Sequence, residues 1–101
     1  MGARPFYETI MATSAEEAFA TARANALEEH GDGGYSGSIA EKDCFVMIPM
    51  PALPEWERIT PREYAELLIE AYDARIADKW GPAGCIEVRP GEYLFFGWSS
   101  N

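Results

Sequence analysis

The chain has 101 residues, of which 48% are hydrophobic and 13% aromatic. This composition suits a single globular domain over residues 1–101 and excludes a disordered chain, which has few aromatic residues. The net charge of −9 argues against direct binding to nucleic acid or to an anionic membrane and favours a basic protein partner. Acidic surfaces also keep proteins soluble, so charge alone does not separate binding from solubility.

The two cysteines, Cys44 and Cys85, lie in apolar stretches and form no C-x-x-C motif. We expect both to be reduced, buried thiols of a cytoplasmic protein, because a small secreted domain usually carries more cysteines. Residues 1–11 lack the apolar core of a signal peptide. No apolar stretch approaches the roughly 18 residues that a membrane-spanning helix needs.

The amino-terminal part of the chain predicts a strand followed by a helix. Residues 5–11 are rich in aromatic and β-branched types, which favour a strand. Ser14 and Glu17 have the spacing of a capping box, so a helix is predicted to begin at Ser14. His30 and Gly31 mark its end, because glycine readily adopts the left-handed conformation that stops a helix. The predicted buried stripe of this helix consists of Ala15, Ala18, Phe19, Ala22 and Ala26.

The middle of the chain predicts a hairpin. Residues 31–34 contain three glycines and form a turn. Residues 35–40 and 44–50 are then two short strands joined by the polar residues 41–43. Prolines 49, 51 and 54 make residues 49–59 an irregular connection, because proline continues neither a helix nor a central strand.

A second helix is predicted to begin at Thr60, which gives the clearest local signal in the chain. Thr60 and Glu63 form a capping box, and Pro61 occupies the first helical position. The helix is predicted to run to about Lys79, where a Gly-Pro pair interrupts it. The predicted apolar face consists of Tyr64, Leu67, Leu68, Ala71 and Tyr72.

Two further strands, residues 83–89 and 93–99, are joined by a Pro-Gly sequence that fits a type II turn. The element order is therefore βαββαββ. It predicts a two-layer α+β domain with an antiparallel sheet of four to five strands and two helices on one face, which is the split βαβ pattern of ferredoxin-like folds.

The last strand is strongly aromatic on both sides. Alternation places Tyr93 and Phe95 on one face of the sheet, with Phe96 and Trp98 on the other. In a two-layer fold one of these faces is left without a helix. We expect it either to be covered by residues 49–59 or to be an interface with a partner.

No combination of side chains predicts catalysis, a metal site or a cofactor. His30 is the only histidine, and with two cysteines it falls short of a structural zinc site. Residues 34–38 approach the G-x-S-x-G motif of hydrolases but end in Ser38, and they precede a predicted strand rather than a helix. Residues 31–37 lack the lysine of a phosphate-binding loop. The sequence thus favours a non-catalytic protein with no cofactor and no metal.

The second helix carries the candidate binding surface. Its predicted acidic face consists of Glu63, Glu66, Glu70 and Asp73, to which Glu55 and Glu57 add charge just upstream. Carboxylates concentrated in this way suit a basic protein partner. The alternative is a solvated face without a binding function.

In charge, size and predicted element order, the chain resembles the small acidic inhibitors that phages and mobile elements make against host nucleases. These include anti-CRISPR and antirestriction proteins that mimic DNA. The resemblance implies an inhibitor of a basic, nucleic-acid-handling protein, in which carboxylates spaced along a helix occupy a channel lined by arginine and lysine.

Two alternatives remain open, and each is compatible with a monomer or a homodimer. A small-ligand-binding or modestly enzymatic domain would use a pocket between sheet and helices. The candidate pocket residues are His30, Tyr35, Ser36, Asp43 and Trp80. An accessory subunit would instead dock on a larger assembly through the aromatic sheet face.

Overall fold

The computed structural model describes residues 2–30, 38–54 and 58–100. These residues form an α+β structure with four strands, two α-helices and a 3₁₀ turn at Ile39–Glu41. The strands and helices, in chain order, are β1 (Ala3–Met11), α1 (Ala15–His30), β2 (Phe45–Met47), α2 (Pro61–Glu70), β3 (Ala83–Arg89) and β4 (Glu92–Ser100). Within the described ranges, neither helix combines the length and the apolar character that a membrane crossing requires.

The four strands form one mixed sheet in the order β1-β4-β3-β2. β4 pairs antiparallel with both β1 and β3, whereas β2 pairs parallel with β3. The predicted wholly antiparallel sheet and ferredoxin-like order are therefore wrong for the described residues. The physical reason is that β2, α2 and β3 form a βαβ unit, whose crossover helix makes its two strands parallel.

The two helices lie on opposite faces of the sheet. One buried cluster joins Ala18, Phe19 and Ala22 of α1 to Cys85 and Phe95. A second cluster joins α2 to the alternate residues of the same two strands, and its members include Ala65, Leu68, Ile86, Leu94 and Phe96. The prediction of both helices on one face is wrong, and the second aromatic face of β4 is covered by α2.

The predicted hairpin of residues 35–40 and 44–50 does not form. Residues 38–41 instead make a 3₁₀ turn, in which the Ser38 side chain caps the amino end by accepting from the Ala40 N–H at 3.2 Å. Residues 35–37 lie outside the described residues. The strand within 44–50 is confirmed only as Phe45–Met47, and its partner is β3 rather than the chain before it.

Helix α1 begins where the sequence predicts. The Ser14 hydroxyl accepts from the Glu17 N–H at 3.1 Å, which satisfies one of the backbone donors left free at a helix start. The Glu17 carboxylate accepts from the Thr13 hydroxyl at 2.9 Å rather than closing the predicted capping box. The alanine stripe is confirmed, because Ala18, Ala22 and the rest of its central part are buried against the sheet.

The start of α2 is confirmed and its end is wrong. Thr60 and Glu63 make both bonds of the capping box, at 3.1 and 2.8 Å. The helix ends at Glu70 instead of near Lys79, because Tyr72 takes a left-handed conformation with φ of 50°. The N–H groups of Tyr72 and Asp73 then donate back into the last turn, which is the Schellman arrangement.

The early end of α2 also changes its buried face. Ala65, Leu68 and Ile69 are buried, whereas Leu67 is 52% exposed and Tyr72 is 65% exposed. The prediction included Tyr72 in the apolar face because it continued the helix past its true end. Leu67 lies within the helix, but the buried face is formed by Ala65, Leu68 and Ile69. Tyr72 instead stacks on Trp98, with ring centroids 5.4 Å apart and planes 3° apart.

Candidate functional site

The predicted acidic face of α2 is largely engaged in local bonds. The Glu63 carboxylate accepts from the Thr60 N–H, and this bond lowers the pKa of Glu63. Glu66 forms an ion pair with Arg62 at 3.2 Å. Among the described residues, Glu70 is the member of this face without a hydrogen bond or an ion pair, while Glu55 and Glu57 lie outside the described residues.

Asp73 does not belong to the helix, which ends three residues before it. Both of its carboxylate oxygens accept from Arg75, at 2.8 and 3.0 Å, and these bonds lower the pKa of Asp73. The sequence correctly places Glu63, Glu66 and Glu70 on one helix. It does not reveal that Glu63, Glu66 and Asp73 already form hydrogen bonds or ion pairs with neighbouring residues.

Most of the cationic side chains are committed within the fold. The chain has eight lysines and arginines. Three of them pair with carboxylates: Arg62 with Glu66, Arg75 with Asp73 and Arg89 with Glu92. Three others donate to backbone carbonyls: Arg23 to Ala40, Lys42 to Lys79 and Lys79 to Gly2. Six of the eight cationic side chains are thereby engaged within the fold.

Lys42 is the most unusual of these cations, because its side chain is only 1% exposed. Its ammonium group donates to the backbone oxygens of Lys79 at 2.9 Å and Asp78 at 3.4 Å. Burial lowers the pKa of Lys42, and the Asp78 carboxylate opposes that shift. The sequence prediction missed this role, since residues 41–43 were expected to form an exposed turn. The bonds fasten the chain just before β2 to the loop before β3.

An open groove of about 510 Å³ lies between the first turns of α1 and the outer strand β2. Its apolar lining is provided by Phe19 and Phe45, whose ring centroids are 5.0 Å apart, and by Met47, which is 46% exposed. A second, smaller groove of about 300 Å³ adjoins the first at Met47 and continues along residues 47–50. We call these two depressions, which share Met47, the β2 groove.

Three carboxylates border the β2 groove. Glu16 and Asp43 line its larger part, and Glu87 lines the smaller one. All three residues are exposed, and no lysine or arginine is among the described residues that line either part. Asp43 is the member of the predicted pocket that the structure places here.

Carboxylates that border the groove contribute to the raised pKa values of two buried side chains, Cys85 and Tyr93. Burial, with smaller contributions from the charges of Glu87 and Glu16, raises the pKa of the Cys85 thiol to about 12. Burial also raises the pKa of Tyr93, with Glu87 again adding to the effect. Negative charge beside an acidic group disfavours its ionisation, so Glu87 and Glu16 lie close enough to these two side chains to act on them.

Of the other predicted pocket residues, Trp80 is the one whose side chain the structure describes. Trp80 is 62% exposed in the loop before β3 and is not among the residues that line the groove. The His30 side chain, Tyr35 and Ser36 lie outside the described part of the structure. The converging pocket predicted from the sequence therefore remains a prediction.

The two cysteines differ in their surroundings. Both are free thiols, and Cys85 is buried as predicted, whereas Cys44 is exposed. Cys44 immediately precedes β2, which is the edge strand of the sheet, and it lines the β2 groove. Among the described residues, no three histidine, cysteine, aspartate or glutamate side chains are grouped to hold a metal ion.

Comparison with protein-family models, with curated proteins and with solved structures finds no match to this chain. Its function is therefore argued from the site alone. The β2 groove offers apolar contact, negative charge and a strand edge that no other described strand pairs with. These properties suit recognition of a cationic, partly apolar segment.

Proposed function

We propose that the protein is a non-catalytic binding domain for a basic protein, which it contacts at the β2 groove. The observation that carries this proposal is the position of Glu16, Asp43 and Glu87 around an apolar groove that includes the exposed Met47, with no cation among the described lining residues. An ion pair between exposed charges contributes about 0.2–1 kcal/mol, and several such pairs can act at one surface. Matching cations would therefore gain affinity and faster association at this surface.

Under this proposal, the basic partner is a nucleic-acid-handling protein, and the domain is an inhibitor made by a phage or a mobile element. The net charge of −9 on 101 residues supports this narrower form. Exposed carboxylates can occupy arginine and lysine side chains that otherwise bind phosphates. A partner held in this way should lose its affinity for DNA in direct proportion to its occupancy by the domain.

Two variants with the same change in net charge test where the partner binds. The first replaces the groove carboxylates, in Glu16→Gln, Asp43→Asn and Glu87→Gln. The second replaces carboxylates of the predicted α2 face, in Glu66→Gln, Glu70→Gln and Asp73→Asn. An oligolysine of ten residues serves as the basic probe, and calorimetric titration measures its affinity at several salt concentrations.

We expect the groove variant to lose more affinity for oligolysine than the α2 variant, because Arg62 and Arg75 already neutralise part of the α2 face. Added salt should weaken the wild-type complex, since the Debye length falls from ~30 Å at 0.01 M to ~10 Å at 0.1 M. Equal losses in the two variants would mean that net charge alone attracts the probe. That result would contradict a specific role for the groove.

A further inference from the structure

The outer edge of β2 carries backbone groups that pair with no described residue. Cys44 and Ile48 bond to β3: the Cys44 carbonyl accepts from Ala83 at 3.0 Å, and the Ile48 N–H donates at 2.8 Å. In a parallel pair, successive residues of a strand direct their N–H and C=O groups to opposite sides. The backbone groups of Phe45 and Met47 therefore point away from the sheet.

No other described segment pairs with this edge. β2 ends the sheet order, and within the described part of the chain neither Phe45 nor Met47 makes a backbone bond on its outer side. The next outward-facing position is Pro49, which has no N–H to donate. The open edge is thus short and is closed at one end by proline, a common device against unlimited strand pairing.

The side chains of Phe45 and Met47 lie on the α1 side of this edge, where they line the β2 groove. Asp43 is two residues before Phe45, so strand alternation places it on the same side, and it borders the groove as well. Glu16 approaches from the first turn of α1, and Glu87 lies one strand further in. Unpaired backbone groups and acidic, apolar side-chain contacts are therefore available to one extended segment at the same time.

We propose that β2 accepts an extended segment of a basic protein as a fifth strand, an inference that rests on the proposed function and specifies its mode. The segment forms backbone hydrogen bonds with Phe45 and Met47. Its apolar side chains enter the β2 groove, and its lysines or arginines lie beside the groove carboxylates. Strand addition of this kind draws affinity from the main chain and specificity from alternate side chains.

The charge argues for a basic partner over a second copy of this chain. Pairing of two β2 edges would bring the carboxylates at Glu16, Asp43 and Glu87 of both copies together without intervening lysine or arginine among the described lining residues. Like charges directly opposite each other destabilise strand pairs. A basic segment reverses the sign of that interaction.

The probe for the test is a seven-residue peptide of alternating lysine and valine with blocked ends. A matched peptide with glutamate in place of lysine controls for charge. In ¹⁵N-labelled protein, amide hydrogen exchange at Phe45 and Met47 is measured with and without peptide. We expect the lysine peptide to slow exchange at these two amides at least tenfold at saturation, and the glutamate peptide to leave them unchanged.

Two perturbations separate backbone pairing from side-chain contact. Met47→Pro and Met47→Ala both remove the side chain, but only proline removes the outward N–H. Proline is tolerated on an edge strand at a position that faces solvent. We expect Met47→Pro to bind the lysine peptide about fivefold more weakly than Met47→Ala, the worth of one net hydrogen bond. Methylation of alternate peptide nitrogens tests the same bond in the unaltered protein.

The outcomes distinguish this inference from the proposed function. If the lysine peptide binds in a way that depends on the groove carboxylates but exchange at Phe45 and Met47 does not change, strand addition is wrong and the proposed function stands. Strand addition is also wrong if methylation of neither alternate set of peptide nitrogens alters binding. If binding is equally strong after neutralisation of Glu16, Asp43 and Glu87, both proposals fail. A dimer in sedimentation analysis, with both amides protected before peptide is added, would assign the edge to a second copy.

Discussion

Gly84 provides a direct test of how the sheet packs against α2. A Cβ atom at this position would lie 2.7 Å from Cζ and 2.9 Å from Cε1 of Phe96, and 3.0 Å from Cδ1 of Ile48. Carbon atoms in a well-packed core approach to about 3.5–4.0 Å. Gly84→Ala therefore requires Phe96 to move by about 1 Å, although its side chain is fully buried.

The expected loss of stability is about 1–3 kcal/mol, the usual cost of adding a carbon atom to a filled core. For a domain of this size, each kcal/mol shifts the melting temperature by about 4–8 °C. Gly84→Ala should therefore melt about 10 °C below the wild type. Thermal melts and urea denaturation, both followed by circular dichroism, measure the change in melting temperature and in free energy of unfolding.

Phe96→Leu serves as the matched rescue, because leucine lacks the two ring atoms that the new Cβ would meet. The combined variant should lose less stability than the sum of the two single variants, as expected for side chains in contact. A Gly84→Ala protein as stable as the wild type would refute the packing described for this face. Strict additivity of the two changes would refute the contact itself.

Four further predictions concern the helix ends and the thiols. Thr60→Ala should lower the free energy of unfolding by about 1 kcal/mol in urea, because it removes a helix cap; a change within error would contradict the capping box. Tyr72→Ala and Tyr72→Gly both lose the stack on Trp98, but only the alanine variant keeps a side chain in the left-handed conformation. The glycine variant should therefore be more stable by about 1 kcal/mol. Equal stabilities of the two variants would refute backbone strain at this position. Iodoacetamide at neutral pH should modify Cys44 and spare Cys85 until the protein unfolds. Because burial raises the pKa of Cys85 from 9.0 to about 12, the unfolded chain releases this proton first and stability should fall as pH rises through that interval; Cys85→Ala should lack this component.

Local sequence patterns predict the starts of both helices and the last two strands. The capping sequences at Ser14 and Thr60 fix the helix starts, because they satisfy backbone donors within four residues. The Pro-Gly turn before β4 is set in the same way, with Gly91 at φ of 87° where a type II turn needs a positive value. These features depend on neighbours in the chain, so the sequence alone is sufficient to predict them.

The features that the sequence does not predict depend on distant contacts. The left-handed stop of α2 uses Tyr72 instead of glycine, and the ring stack that accompanies it comes from Trp98 in β4. The partner of β2 is β3, some 35–40 residues further along the chain, whereas hairpin patterns consider only adjacent segments. One sequence signal does indicate the two covered faces: residues 83–86 are apolar or small at successive positions, which is typical of a strand covered on both faces.

The candidate site, too, has features that depend on sequence neighbours and features that depend on distant contacts. Glu63, Glu66 and Glu70 share a helix as predicted, but their bonds to Thr60 and Arg62 become visible only with side chains in place. The β2 groove joins side chains from α1, β2 and β3, and no sequence spacing connects Glu16 to Glu87. A charge pattern along one element can therefore identify an acidic helix, whereas uncompensated charge is a property of the assembled surface.

The central claim is that the uncompensated negative charge of this protein is concentrated at the β2 groove. Paramagnetic relaxation by a cationic and an anionic nitroxide of similar size, compared at each backbone amide, measures the local electrostatic potential without any partner. The account predicts the most negative potential at residues 43–47 and in the first turn of α1, with smaller values along residues 63–70. A maximum along residues 63–70, or a uniform potential over the surface, would contradict it.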